Sequence, residues 1–178
     1  MKGTEIGSYA PDFELPGIDG TVHHLARYLE TSRAVVVVFI CNDCPQVKSY
    51  LDRLKQLSVE WSDRQIPLIA INPNDASHHP AESLENMGVF KATHDLNFAY
   101  IRDVTQEVAT CFGATKTPEA FVLDGDGILR YRGAIDDSAD TGAVKTPYLK
   151  QAIAQLLAGE SIEIPQTDPV GCPIQWKK

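Results

Sequence analysis

Ala34-Val35-Val36-Val37-Val38-Phe39-Ile40-Cys41-Asn42-Asp43-Cys44-Pro45 forces the first structural choice. Its opening seven residues are apolar and mostly β-branched, the composition of a strand covered on both faces. Past Pro45 the apolar period changes. Val47, Tyr50, Leu51, Leu54, Leu57 and Trp61 fall at three- and four-residue steps, one stripe of an amphipathic helix. Pro45 suits the first turn of that helix, and Asn42 or Asp43 is its expected cap. The Cys-x-x-Cys segment therefore stands where a buried strand gives way to a helix N-terminus.

Working outward, residues 66–71 read as a second strand, at the crossover distance a parallel pair needs. Residues 72–80 form a polar loop and 81–93 a helix. A short strand follows at 99–101, then a helix at 105–112 stopped by Gly113. Residues 120–123 and 128–132 make a hairpin around Asp124-Gly125-Asp126-Gly127, and 148–157 a last amphipathic helix. Upstream, Ala10 to Gly20 reads as a strand with a turn at Asp19-Gly20, and 21–23 as its return. Residues 160–178 carry three prolines and no periodicity, so they read as an extended tail over the body. The expectation is one α/β domain over residues 1–178: a central mixed sheet flanked by helices, with an N-terminal β-hairpin extension and a C-terminal tail at 160–178.

Composition bounds the function. The chain has 178 residues, 43% hydrophobic and 22% charged, enough to bury a core without staples. A net charge of −8 argues against binding nucleic acid or an anionic membrane. No apolar run nears the roughly 20 residues of a membrane helix. The N-terminal stretch lacks the apolar core of a secretory signal, so a cytoplasmic protein is expected. Cytoplasmic thiols are mostly reduced, and four cysteines there point to redox or metal chemistry rather than a disulfide framework.

Two thiols three residues apart across a helix start can close a disulfide with little backbone movement. The helix N-terminus favours a thiolate on Cys41, which is the attacking species in exchange; Cys44 then displaces the product. The alternative is a metal-bound or inert pair in a binding module. Zinc needs further ligands, and the histidines come as His23-His24 and His78-His79, adjacent pairs poorly placed to chelate one ion. No metal and no organic cofactor are expected.

Ala10-Pro11-Asp12-Phe13, the strand into Cys41-Asn42-Asp43-Cys44-Pro45, Thr117-Pro118 ahead of the hairpin, and the ending Gly171-Cys172-Pro173-Ile174-Gln175-Trp176-Lys177 together resemble the thioredoxin-fold redoxins related to alkyl hydroperoxide reductase and thiol-specific antioxidant proteins. The likeness is to a thioredoxin-like subgroup with a Cys-Asn-x-Cys-Pro site. The resemblance implies a thioredoxin-like fold in which Cys41 attacks and Cys44 resolves. It also implies a cis Thr117–Pro118 bond shaping an edge for substrate peptide. The implied activity is reduction of protein or small-molecule disulfides, recharged by a thiol reductant such as thioredoxin or glutathione.

This sequence departs from the familiar thioredoxin site in two ways. Asn42-Asp43 stands between the cysteines in place of Gly-Pro. The Asp43 charge, with Glu119 as a second, opposes a Cys41 thiolate, while Lys48 offsets part of it. A reductant rather than a strong oxidant is expected. Val35 stands where thioredoxins hold a buried acid, leaving Glu119 as a candidate proton acceptor for Cys44. The rival reading is a thiol peroxidase of peroxiredoxin type, using Cys41 with Cys44 or Cys172 as resolving thiol. The residues before Cys41 offer peroxide no side-chain hydrogen-bond donor. Cys111 is expected inside as a small hydrophobe. Cys172 is a candidate third redox thiol, a relay on the tail, or else exposed and unpaired. Trp176 is the expected anchor of that tail. Arg132, Asp136 and Asp137 read as a solvated charge cluster.

Overall fold

The computed structural model describes residues 3–178; Met1 and Lys2 of the expected domain lie outside the described residues. The sequence-defined strand is β3 (Ala34–Phe39), with all six residues buried. It sits at the centre of a five-stranded sheet, ordered β5 (Ala99–Arg102), β4 (Leu68–Asn72), β3, β7 (Glu119–Asp124), β8 (Leu129–Gly133). β3, β4 and β5 run parallel, and β7 and β8 add antiparallel, giving the expected mixed sheet. β1 (Glu14–Pro16) and β2 (Val22–His24) form the N-terminal hairpin. Gly20 at its turn holds φ +78°, a conformation that favours glycine.

Alternation along β3 divides the core. Val36 and Val38, with Ile40 beyond, face α2 (Pro45–Ser62), α3 (Leu84–His94) and α5 (Tyr148–Leu157). Val35, Val37 and Phe39 face α4 (Glu107–Phe112), Leu25 of α1 (Leu25–Thr31), and Phe13 and Leu15 of the N-terminal segment. Val47, Tyr50, Leu51, Leu54, Leu57 and Trp61 are the buried face of α2, as the spacing predicts. Gly113 ends α4 in the left-handed conformation.

Several elements differ from expectation. α1 has no counterpart in the sequence reading, because seven residues hold too few turns to establish a helical period. The helix read from residue 81 starts at Leu84: Ser83 accepts the Asn86 N–H as its cap, and Pro80–Glu82 forms a separate 3₁₀ turn. The tail is extended but not merely laid down. Cys172–Pro173 forms strand β9, paired antiparallel with β6 (Lys116–Thr117). Among the described residues no helix is long and apolar enough to cross a membrane.

Candidate active site

The cysteine turn follows β3 directly, so the central strand fixes its position. The cap of α2 is Cys44 rather than Asn42 or Asp43: Cys44 has extended backbone angles and Pro45 opens the helix. The two residues between the cysteines are held from below. Glu82 accepts the backbone N–H groups of Asn42 and Asp43, at 2.8 and 3.1 Å, and the Asn72 side-chain amide at 2.8 Å. Asn42 donates to the Ala81 carbonyl and accepts from the Tyr100 hydroxyl, both at 2.8 Å. Glu82 is 1% exposed, so a buried carboxylate lies under the turn. Sequence reasoning missed it. Its only signal is an acid just before the capping serine of a helix that follows β4.

Four groups meet above the turn. Cys44 is joined to Cys172 by a disulfide, with their Cα atoms 6.1 Å apart across 128 residues of sequence. Cys41 stays a free thiol, its Sγ 3.1 Å from the Thr117 hydroxyl. The Cys44 sulfur lies 3.4 Å from the Thr117 carbonyl oxygen, a contact only, since a disulfide sulfur carries no proton. The Thr117–Pro118 peptide bond is cis, as the resemblance implies. The bond seen thus joins Cys44 to the tail, rather than Cys44 to Cys41.

Cys41, the expected attacking thiol, is not exposed in this form: it is 2% accessible. Its thiol is pushed up to about 12, first by burial and further by the Glu82 and Asp43 charges. The Thr117 hydroxyl and the Asp43 N–H act the other way. The direction agrees with a weakly acidic Cys41, but the leading cause is desolvation rather than the Asp43 charge.

Glu119 does not serve the sulfurs. It is buried, yet accepts the Thr115 and Lys116 N–H groups at 2.7 and 3.3 Å and pairs with Arg132 at 3.4 Å. It follows Pro118 at the start of β7, two residues before Phe121, so alternation sends it to the second core face, away from the cysteine turn. Lys48 is exposed on α2.

Three further expectations are corrected. Cys111 is exposed rather than packed inside. Ile174, 4% exposed, anchors the tail, whereas Trp176 is 44% exposed. Arg132 and Asp136 are not solvated: Arg132 donates to the Gly113 carbonyl, and Asp136 accepts from Arg53 and the Tyr50 hydroxyl. Only Asp137 of the three is exposed. Among the described residues no group of three or more His, Cys, Asp or Glu is placed to hold a metal ion.

Comparison with known proteins adds to this geometry. The model of the AhpC/TSA family matches residues 6–132. The methylamine utilization protein MauD of Paracoccus versutus is 26% identical over 132 residues, 74% of this chain and 59% of that protein. The thiol-disulfide oxidoreductase ResA of Geobacillus thermodenitrificans is 24% identical over 128 residues, 70% of this chain and 67% of that protein. The match thus spans about three fifths of the MauD relative's length. A solved structure, hypothetical protein SMc02350 from Sinorhizobium meliloti 1021, superposes with a TM-score of 0.89 at 32% identity, covering 99% of this chain and 97% of that one.

Proposed function

This chain belongs to the AhpC/TSA family, and we propose that it is a thiol–disulfide oxidoreductase acting chiefly as a reductant. One observation carries the reading. A disulfide between Cys44 and Cys172 lies against a free Cys41, at a helix start that faces the cis Thr117–Pro118 bond. The named activity of the ResA relative is of the same kind.

The Cys41 thiolate attacks one sulfur of a substrate disulfide, forming a mixed disulfide and releasing the first substrate thiol. The Cys44 thiolate then attacks the Cys41 sulfur, releasing the second thiol and leaving Cys41–Cys44. Cys172 next attacks Cys44, freeing Cys41 as a thiol and leaving Cys44–Cys172. One substrate disulfide is reduced and one protein disulfide is formed. A dithiol or two thiols, of the thioredoxin or glutathione kind, restore the reduced protein. The Glu82 and Asp43 charges disfavour a Cys41 thiolate, which supports reducing rather than oxidising behaviour.

Insulin reduction by the thiol-reduced protein, followed as turbidity and set beside hydrogen peroxide consumption, tests this. The expected outcome is insulin precipitation that Cys41→Ser abolishes, with little peroxide consumed. Peroxide turnover outpacing insulin reduction would replace this reading with the peroxidase one. Insulin reduction that survives Cys41→Ser would remove Cys41 from the attacking role.

A further inference from the structure

The tail does more at this site than deliver a sulfur. β9 pairs with β6 in antiparallel register, Cys172 opposite Thr117 and Pro173 opposite Lys116. Thr117 is the residue that touches both site sulfurs, through its hydroxyl and its carbonyl. An extended peptide adding a strand beside a reacting sulfur is the geometry by which sheet edges recognise peptides. Here the peptide is the chain's own C-terminus.

Gly171 shows how tight the fit is. A Cβ at that position would lie 2.1 Å from the Thr117 carbonyl oxygen, 2.6 Å from its carbon and 3.0 Å from the Pro118 nitrogen. All three are backbone atoms of the cis peptide, so they have no flexible side chain to move aside. The docked backbone must therefore lack a side chain immediately before the cysteine.

Docking does not depend on the disulfide alone. Upstream, Lys116 donates to the Pro169 carbonyl at 3.1 Å. Downstream, the Ile174 N–H donates to the Thr115 carbonyl at 3.0 Å, and the Ile174 side chain is buried in the second core. The Gln175 N–H donates to Asn74 at 3.0 Å, and the Asp75 N–H to the Gln175 carbonyl at 2.9 Å.

We infer that residues 170–175 are a tethered substrate. The edge at Thr117–Pro118 takes extended peptides carrying a cysteine preceded by glycine. In the oxidised protein the chain's own tail fills that edge and closes the site until Cys44–Cys172 is reduced. This inference rests on the oxidoreductase reading for its exchange steps. It adds the class of peptide accepted and the device that shuts the site. Closing requires no external oxidant once Cys41–Cys44 has formed: Cys172 attacks Cys44, the Cys41–Cys44 bond breaks, and Cys41 leaves and takes up a proton. The tether gives the tail a high effective concentration over any free peptide, so the oxidised site stays shut.

The test uses the full chain. Reduced wild-type protein and Gly171→Val are oxidised with diamide, and their disulfides are mapped by mass spectrometry. The expected result is Cys44–Cys172 in the wild type and a shift to Cys41–Cys44 in Gly171→Val. Calorimetric titration of the Gly171→Val protein then uses the peptide Val-Gly-Ser-Pro-Ile-Gln-Trp and a copy with valine replacing its glycine. The glycine peptide is expected to bind about tenfold more tightly or better. Unchanged Cys44–Cys172 pairing in Gly171→Val, or equal affinity for the two peptides, would overturn the inference. Neither measurement needs turnover. Failure to reduce insulin would thus sink the oxidoreductase reading by itself, and the peptide result would still decide this one.

Discussion

Reducing Cys44–Cys172 should change the reactivity of a different sulfur, Cys41. In the latched form burial and the Glu82 and Asp43 charges push the Cys41 thiol from an ordinary 9.0 up to about 12. At pH 8 a thiol at 9.0 is ionised in about one molecule in ten, and one at about 12 in about one in 10⁴. Alkylation by iodoacetamide, which requires the thiolate, should therefore be about 10³-fold slower than for an open cysteine. Its rate in the oxidised protein should climb about tenfold per pH unit, with no plateau below pH ~11. Breaking the bond with a dithiol leaves the tail held only by its non-covalent contacts; as it undocks, water should reach Cys41 and most of the deficit should disappear. Mass spectrometry of Cys41 peptides after timed quenching gives the rate directly. The same shift fixes a stability trend. The folded latched form holds the Cys41 proton more tightly than the unfolded chain, so this contribution is complete below pH ~9 and is lost as pH rises from there toward about 12. Each pH unit in that window lowers stability by at most about 1.4 kcal/mol. A half-titration of Cys41 at or below pH 9 in protein whose Cys44–Cys172 bond is intact would refute this reasoning.

Glu82→Gln leaves one amide N–H₂ facing donors where a carboxylate oxygen had accepted them. It should lower stability in urea by about 2–3 kcal/mol and speed Cys41 alkylation at fixed pH, since a negative neighbour is lost. Thr117→Val removes the hydroxyl that favours the Cys41 thiolate, and should slow alkylation of the protein by about 3- to 10-fold without unfolding it. Ile174→Ala leaves a cavity where the tail enters the second core and should weaken tail docking by about 2–5 kcal/mol. Faster hydrogen exchange at positions 174 and 175, with α2 amides unchanged, is the expected sign. In the native oxidised protein a chromogenic aryl disulfide should react promptly with exposed Cys111 and only slowly with buried Cys41.

What could be read in advance follows the range of the forces involved. β3 and α2 were legible because each carries a long run of one hydrophobic period, and together they place the cysteine turn at the end of the central strand. The cis bond followed from Thr117-Pro118 and the resemblance, not from any local preference, since most such bonds are trans. α1 escaped because seven residues give one apolar repeat at most. Glu82 escaped for a different reason. A buried carboxylate is legible only when its donors are known, and here they come from Asn42, Asp43 and Asn72 in separate segments. Glu119 was misplaced by proximity in sequence: adjacency to Pro118 put it near the sulfurs, while strand alternation turned it to the opposite face. The Cys44–Cys172 bond spans 128 residues, and spacing has nothing to say about such a pairing.

A helix N-terminus favours a thiolate because its leading N–H groups lack partners. In this chain the N–H groups of Asn42 and Asp43, just ahead of α2, already have one in Glu82. Their dipoles are turned toward a buried carboxylate, whose charge then opposes ionisation of Cys41 rather than assisting it. What remains in favour of the thiolate is chiefly the Thr117 hydroxyl, which is outweighed while Cys41 is covered. Desolvation is thus the largest influence on Cys41, and the tail is bonded to Cys44 and paired with Thr117, whose hydroxyl meets the Cys41 sulfur. Reduction of Cys44–Cys172 is therefore expected to raise the nucleophilicity of Cys41, a cysteine that takes no part in that bond.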